Sequence, residues 1–448
     1  MQDLTLLVSL IGCLLVFFTT PVYGLIVYIG VLVLYPSYLT VPIWTIDFTA
    51  HRIVILSVYA NLFLRTSLPN RFKPTWLDNI IIVYFICQVL AGITTTPVLK
   101  IIENRAGGVF DMVLPYFAVR MIVTSKEQYL SLLKGILFIA VPLAIVGIYQ
   151  CLTGNNPVGF LKKYYAWEES KGYSPIPRHG FFRADVTFAM SIMYGLFFAM
   201  FGPICAGVLR NSRKHKTLYI IGLALMVIGV LTSVSSGPML AALLAILFIF
   251  FYRWRKFWRP LVIVLIVLCG LVEAISNRHF YDVLGGFTLN SRTAWYRSRL
   301  ISVALFQGGM SDHWLTGFGF ADPGWSAMID NRSHTDMVNH YLLVLSRYGL
   351  VAFIPFITMN LLVIKKLIDA GKSSVLDSDR WLVWCLAAGL FGLAGAFVSV
   401  SLFGQPTTIY YIMIGLAGAM PVIVAKSNAR VYQRPASPFQ KNKYIKGI

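Results

Sequence analysis

Apolar runs of about 16 to 25 residues recur from Leu4 to Ala425, and no other feature narrows the fold so far. Such a run is the length an α-helix needs to cross a hydrocarbon core about 30 Å thick. In lipid every backbone N–H and C=O must be satisfied within the segment, so helices are the expected solution. Hydrophobic residues make up 57% of the 448 and charged residues 12%, which leaves too little polar surface for a water-soluble globule of this size. The expected fold class is all-α: a polytopic integral membrane protein with about 12 to 13 transmembrane helices.

The runs place spans near 4–20, 21–40, 50–64, 77–95, 107–124, 129–151, 187–208, 217–234, 238–252, 260–276, 340–364, 381–403 and 407–425. The start, Met1, Gln2 and Asp3, lacks the positive charge of a secretory signal, and a second span opens at once at Pro21, so the first run reads as a membrane helix. Basic clusters fall at alternate connections, around Arg65, Arg71 and Lys73, then Arg120, Lys126 and Lys134, then Arg210 to Lys216, Arg253 to Arg259, and Lys365 to Arg380. With a tail holding Lys426, Arg430, Arg434, Lys441, Lys443 and Lys446, they account for most of the 38 Lys and Arg. Assigning them all to the cytoplasm satisfies the positive-inside rule.

Topology thus explains the net charge of +20 without nucleic acid as a partner; the expected surroundings are a lipid bilayer. The chain reads as one membrane domain, 1–448, with external loops at 152–186 and 277–339 and a basic cytoplasmic tail at 426–448. Those two loops are the only connections that look roomy enough for a site in contact with water. All six cysteines (Cys13, Cys87, Cys151, Cys205, Cys269 and Cys385) sit in or at the ends of apolar runs, as small core residues do.

The first loop ends in RHGFFRAD, Arg178 to Asp185. Arginines near helix ends on the external side are disfavoured unless something holds them there. Arg178 and Arg183 fit two readings: a fork for phosphate oxygens, or an interfacial pair snorkelling to headgroups. Gly180 between them would allow a tight turn or a close approach of backbone to ligand.

The second loop carries SRTAWYRSR (Ser291 to Arg299), GFGF (Gly317 to Phe320) and SHTDMVNHYL (Ser333 to Leu342). From Arg292 to Gln307 the periodicity predicts an amphipathic helix. Arg292 and Arg299 share one side of it, and Trp295, Leu300 and Val303 face the protein or the interface. It is either a ligand-binding helix or a basic helix on anionic lipid. GFGF follows no βαβ pattern and reads as a turn. His334, Asp336 and His340 form the one close grouping of His and carboxylate, and a group that takes a hydroxyl proton near neutral pH is most often of these types. No metal site is expected, since His334 and His340 lack a third ligand nearby, and no cofactor is expected.

In order and spacing these motifs resemble the superfamily of O-antigen ligases and of O-antigen and exopolysaccharide polymerases. They run from RHGFFRA through SRTAW and GFGF to NHYLLVLSRYGL, Asn339 to Leu350. The resemblance implies an inverting, metal-independent glycosyltransferase of the bacterial inner membrane, with its active loops in the periplasm. The implied donor is a glycan on undecaprenyl pyrophosphate, passed to a glycan acceptor, with a chain-length regulator as the protein partner such a polymerase works with. Carried over by motif, Arg178 and Arg292 bind the pyrophosphate, with Arg183 and Arg299 as further candidates. The family's histidine falls on Val338 here, which leaves His334, Asp336 and His340 as competing bases. The Asp and Asn before a YL pair, with RYG behind, resemble the polymerases more than the ligases. Ligase, and a lipid-linked sugar flippase from another class, are the competing functions. A flippase would carry its charges along the helices near the midplane.

Overall fold

A computed structural model of the chain describes residues 1–65, 72, 74–164, 177–211, 216–257 and 291–433, with scattered positions between 260 and 275. It is 76% helical with almost no strand. In chain order the elements begin with α1 (Gln2–Phe18), α2 (Pro21–Leu34), the hairpin β1 (Thr40–Ile43) and β2 (Ile46–Thr49), and α3 (Ala50–Arg65). Next come α4 (Trp76–Ile93), α5 (Val98–Gly108), a π turn at Val109–Val113, α6 (Leu114–Ile122) and α7 (Lys126–Thr153). Then follow α8 (Ser191–Leu209), α9 (Lys216–Thr232), α10 (Ser236–Phe250), α11 (Ser291–Leu305), the single turn α12 (Ser326–Ile329), α13 (His340–Ser373), α14 (Asp377–Ala396) and α15 (Gln405–Gln433).

Six described helices are long and apolar enough to cross a membrane: Trp76–Ile93, Lys126–Thr153, Ser191–Leu209, Ser236–Arg255, His340–Ser373 and Gln405–Gln433. Local chemistry sets their ends. Ser125 and Gln128 form a capping box at the start of α7, and Gly154, left-handed at φ 75°, closes it by donating its N–H to the Gln150 carbonyl. α13 begins where it does because the Asn339 side chain accepts the Leu342 N–H. α8 and α15 are the innermost, each 83% buried over its most apolar stretch, whereas α10 and α13 lie at the periphery. Phe138, Phe250 and Leu361 project outward, each about two-thirds exposed or more, an apolar belt that suits lipid as solvent.

Because the helices run up and down, alternate connections meet. One end of the bundle gathers Arg65, Lys126, Arg210, Lys372 and Arg430; the other gathers the hairpin, α5, residues 154–164 and 177–190, residues 306–339 and residues 397–404. They are called below the basic end and the loop end.

Several features depart from the expected spans. The connection at 96–106 is not a loop but α5, continuous with α6 through the π turn. The last helix continues to Gln433, into the segment expected as tail. The helix expected at 340–364 runs to Ser373, but Gly349 (φ 59°, ψ −164°) breaks it. The span expected at 260–276 lies largely outside the described residues. So do Arg71, Lys73, Arg213, Lys214, Arg259 and the tail from 434.

Candidate functional site

RHGFFRAD folds as its glycine suggests. Arg178 and Phe181 exchange both backbone hydrogen bonds, at 2.8 and 3.0 Å, around a turn in which His179 (φ 53°) and Gly180 (φ 82°) are both left-handed. The chain after the turn is tied down at once: Phe182 N–H donates to the Cys151 carbonyl and Ala184 N–H to the Thr232 carbonyl. Asp185 accepts from Gln150 and Asn156 and pairs with Lys162. Arg183 is thereby aimed at the start of α10, where its Nη2 donates to Ser235 Oγ at 2.9 Å.

The expected amphipathic helix is α11. Leu300 and Val303 are fully buried, and Trp295 is half exposed. Arg297, rather than Arg299, turns inward: it is 7% exposed and its Nη1 lies 3.5 Å from Ser236 Oγ. Two positions on, Arg299 is rotated about 200° around the helix and stays half-buried on another face. The side chain of Arg292 lies outside the described residues. Burial pushes the Arg297 guanidinium below its ordinary value, with Asp336 pulling it up and Arg178 pressing it further down.

Arg183 and Arg297 therefore converge on the N-terminus of α10, with Arg178 within electrostatic reach of Arg297. Ser191, Ser233, Ser235 and Ser236 cluster there, joined by Ser235 Oγ to the Ser233 carbonyl (2.8 Å) and by Ser191 Oγ to Ser235 Oγ (3.4 Å). Cations, hydroxyls and the positive end of a helix dipole point the same way, an arrangement that favours an anion.

The three candidate bases occupy different surroundings. Asp336 is exposed, and its backbone is pinned by Tyr296, whose hydroxyl donates to the Asp336 carbonyl (3.1 Å) and accepts its N–H (3.0 Å). Burial pushes the Tyr296 phenol up to about 12, so it stays protonated for that task. His334 is half-buried beside Ser333 Oγ, at 3.2 Å, and its charge reaches Asp322. Asp322 in turn accepts the N–H and hydroxyl of Thr335 and the N–H of Gly324. His340 is buried against Phe356 and Phe397. Its Nδ1 accepts the Leu402 N–H at 3.2 Å, which assigns the neutral ring's proton to Nε2 and makes that atom a donor. Asp336 lies within electrostatic reach of Arg297, whereas Arg347 is the arginine whose charge reaches His340.

His340 faces a second feature, a cavity of about 540 Å³ at the same end. Its walls come from the hairpin, α4, α5, the first turns of α13 and the start of α15. It corrects the expectation that only two loops offer a wet site: the hairpin and α5 sit in connections that look too short. A backbone latch builds one wall. Phe318 and Gly319 N–H donate to the Ser346 and Arg347 carbonyls, and Leu350 and Val351 N–H donate to the Trp314 and Leu315 carbonyls. The latch requires the break at Gly349, where a Cβ would lie 2.1 Å from the Leu315 oxygen. GFGF and RYG are thus two halves of one joint.

Sequence reasoning passed over Arg297, Ser235 and Ser236, and the cavity residues Arg105 and Arg347. It also passed over a buried knot in which Asp111 accepts from Arg52 and His51, the latter at 3.2 Å. The SVSS run at Ser233 to Ser236 was a usable signal, being an N-cap cluster opposite the basic clusters. Among the described residues no group of three His, Cys, Asp or Glu side chains gathers. No protein-family model matches this chain, and a search of curated proteins finds no match either.

Proposed function

We propose that the chain is an inner-membrane glycosyltransferase that joins glycan repeat units carried on undecaprenyl pyrophosphate into a surface polysaccharide. The observation that carries this reading is the convergence of Arg183 and Arg297 on the serine-lined start of α10, with Arg178 and Asp336 within electrostatic reach of Arg297. The positive-inside rule puts the basic end in the cytoplasm and the cradle outside.

In this reading the guanidinium forks grip the pyrophosphate and stabilise charge on it as it departs. The acceptor hydroxyl attacks the anomeric carbon from the opposite face. Its oxygen forms the new bond, the old C–O bond breaks, and the electron pair leaves with undecaprenyl pyrophosphate. Asp336 takes the hydroxyl proton. One displacement inverts the anomeric centre, and a good leaving group removes the need for a strong acid. His340, with its proton on Nε2, is placed to donate a hydrogen bond rather than to accept a proton.

The test supplies lipid-pyrophosphate glycan to the purified protein in detergent. Release of undecaprenyl pyrophosphate with glycan elongation is the expected result. Transfer to a lipid A acceptor alone would make it a ligase, and movement across vesicles with no such products would make it a flippase.

A further inference from the structure

The cavity beside His340 is not needed to hold a pyrophosphate in the cradle, yet it is built for a charged ligand. Arg105 and Arg347 both stand over Phe320, their guanidinium carbons 5.7 and 5.9 Å from its ring centroid, and Arg105 also lies 5.1 Å from the ring of Tyr348. Stacking uses the flat faces of the guanidinium groups and leaves their N–H edges for other partners. The edges of Arg105 meet only neutral groups, the amide oxygens of Gln88 and Asn104. Among the described residues no carboxylate stands at ion-pair distance from Arg105 or Arg347.

The other cavity charges offset only one of them, which leaves the lining with a net positive charge. Asp111 is taken up by Arg52 and His51, and Lys100 balances one of the carboxylates Asp47 and Glu103. Tyr84, Gln88, Tyr410 and Tyr411 also line it and offer ring faces, hydroxyls and an amide. A volume of about 540 Å³ falls in the usual range for small-molecule sites, about 300 to 1,000 Å³.

We infer that this cavity binds the end of a carboxylate-bearing oligosaccharide, with Arg105 and Arg347 on the carboxylate and the tyrosines and Gln88 on the sugar rings. Asp336 borders the cradle and His340 borders the cavity, and the four residue steps between them span at most about 14 Å. A glycan seated in the cavity therefore ends close to Asp336. The inference rests on the glycosyltransferase reading only in naming that glycan as the acceptor.

The experiment is a calorimetric titration of the full-length protein in detergent with tetragalacturonate, with neutral maltotetraose and with glycerophosphoglycerol as a lipid-headgroup probe. Tetragalacturonate is expected to bind at least about tenfold more tightly than either of the others. Arg347→Gln should remove most of that difference, Arg347→Lys should keep part of it, and Lys372→Gln at the basic end should change nothing. Should Arg347→Gln elute as aggregate, Lys100→Gln on the exposed rim takes its place, with a severalfold loss expected. Equal binding of the neutral and acidic tetrasaccharides, no binding of either, or preference for glycerophosphoglycerol would overturn the inference. The titration involves no turnover, so acidic-glycan binding without polymerisation sinks only the enzymatic reading, and polymerisation without such binding sinks only this one.

Discussion

At the basic end of the bundle four described cations meet acids: Lys126 pairs with Asp379, Arg430 with Glu127, Arg210 with Asp377 and Arg120 with Asp78. At the loop end Arg52 and Lys162 are paired with Asp111 and Asp185, but Arg297 leans on a serine hydroxyl, Arg105 on amide oxygens and aromatic rings, and Arg347 on Phe320. The same residue type thus does two kinds of work. Paired with carboxylates, charge fastens helices and sets orientation in the membrane. Held by neutral groups, it keeps its field for something that arrives from outside.

The first way to break this contrast is to remove the joint on which the loop end hangs. Gly349→Ala would put a methyl carbon 2.1 Å from the Leu315 oxygen and add backbone strain of about 1 to 3 kcal/mol. The expected result is loss of monodisperse protein in size-exclusion chromatography and of all turnover. Next in size, Asp336→Asn should lower kcat by about 10² to 10⁴ at unchanged folding; a variant with normal kcat would move the base elsewhere. Arg297→Gln should cost about 10²-fold or more in turnover, whereas Arg430→Gln, an arginine at the other end, should stay within about twofold. Equal losses from the two would erase the distinction.

Asp379→Asn sharpens the comparison from the structural side. Asp379 keeps 4% of its side chain exposed and holds both Lys126 and Ser427. The variant should lose up to about 3 kcal/mol of stability, the low end for breaking a buried pair, because Lys126 remains partly wet. Its thermal midpoint should drop while turnover per folded molecule holds.

The smallest effect concerns pH. Burial alone would raise the Asp322 carboxyl, but hydrogen bonds from Thr335 and Gly324 and the nearby His334 hold it below its ordinary value. A carboxyl depressed on folding stabilises the loop fully above its ordinary value, about 3.9, and loses that hold as pH falls through the depressed one. Amide protection at Gly324 and Thr335, followed by hydrogen exchange, should therefore persist at pH 5 and fade below about pH 4. Asp322→Asn should show weak protection at both.

Much of the helical frame was legible because apolar length and caps are local. The starts of α7 and α13 follow from Ser125 and Asn339, and the left-handed turn at Gly180 from its sequence. What was not legible depends on contacts between distant parts of the chain. Nothing in the apolar run from Tyr341 to Ile364 marks a break, since Gly349 is left-handed only because residues 314–319 pass against it. α5 escaped notice because Lys100, Glu103, Asn104 and Arg105 make it look like a polar connection, when that polarity faces a cavity. Arg297 was passed over for its neighbours because a helix with three arginines does not say which one turns inward.

The latch between residues 314–319 and 346–351 also divides what is free to drift from what is not. Any insertion between Gly317 and Gly349 leaves Phe320 and Arg347 in register, provided that the four latch bonds survive. The intervening segment carries an exposed tip at Met328, Asn331 and Arg332, and doubling the length of such a loop costs only about 0.6 kcal/mol in closure entropy. Under the proposed function, relatives that handle other glycans are expected to differ in length there while keeping both glycines. Substrate range could then diversify by lengthening one tip, with the wall that carries the arginines unchanged.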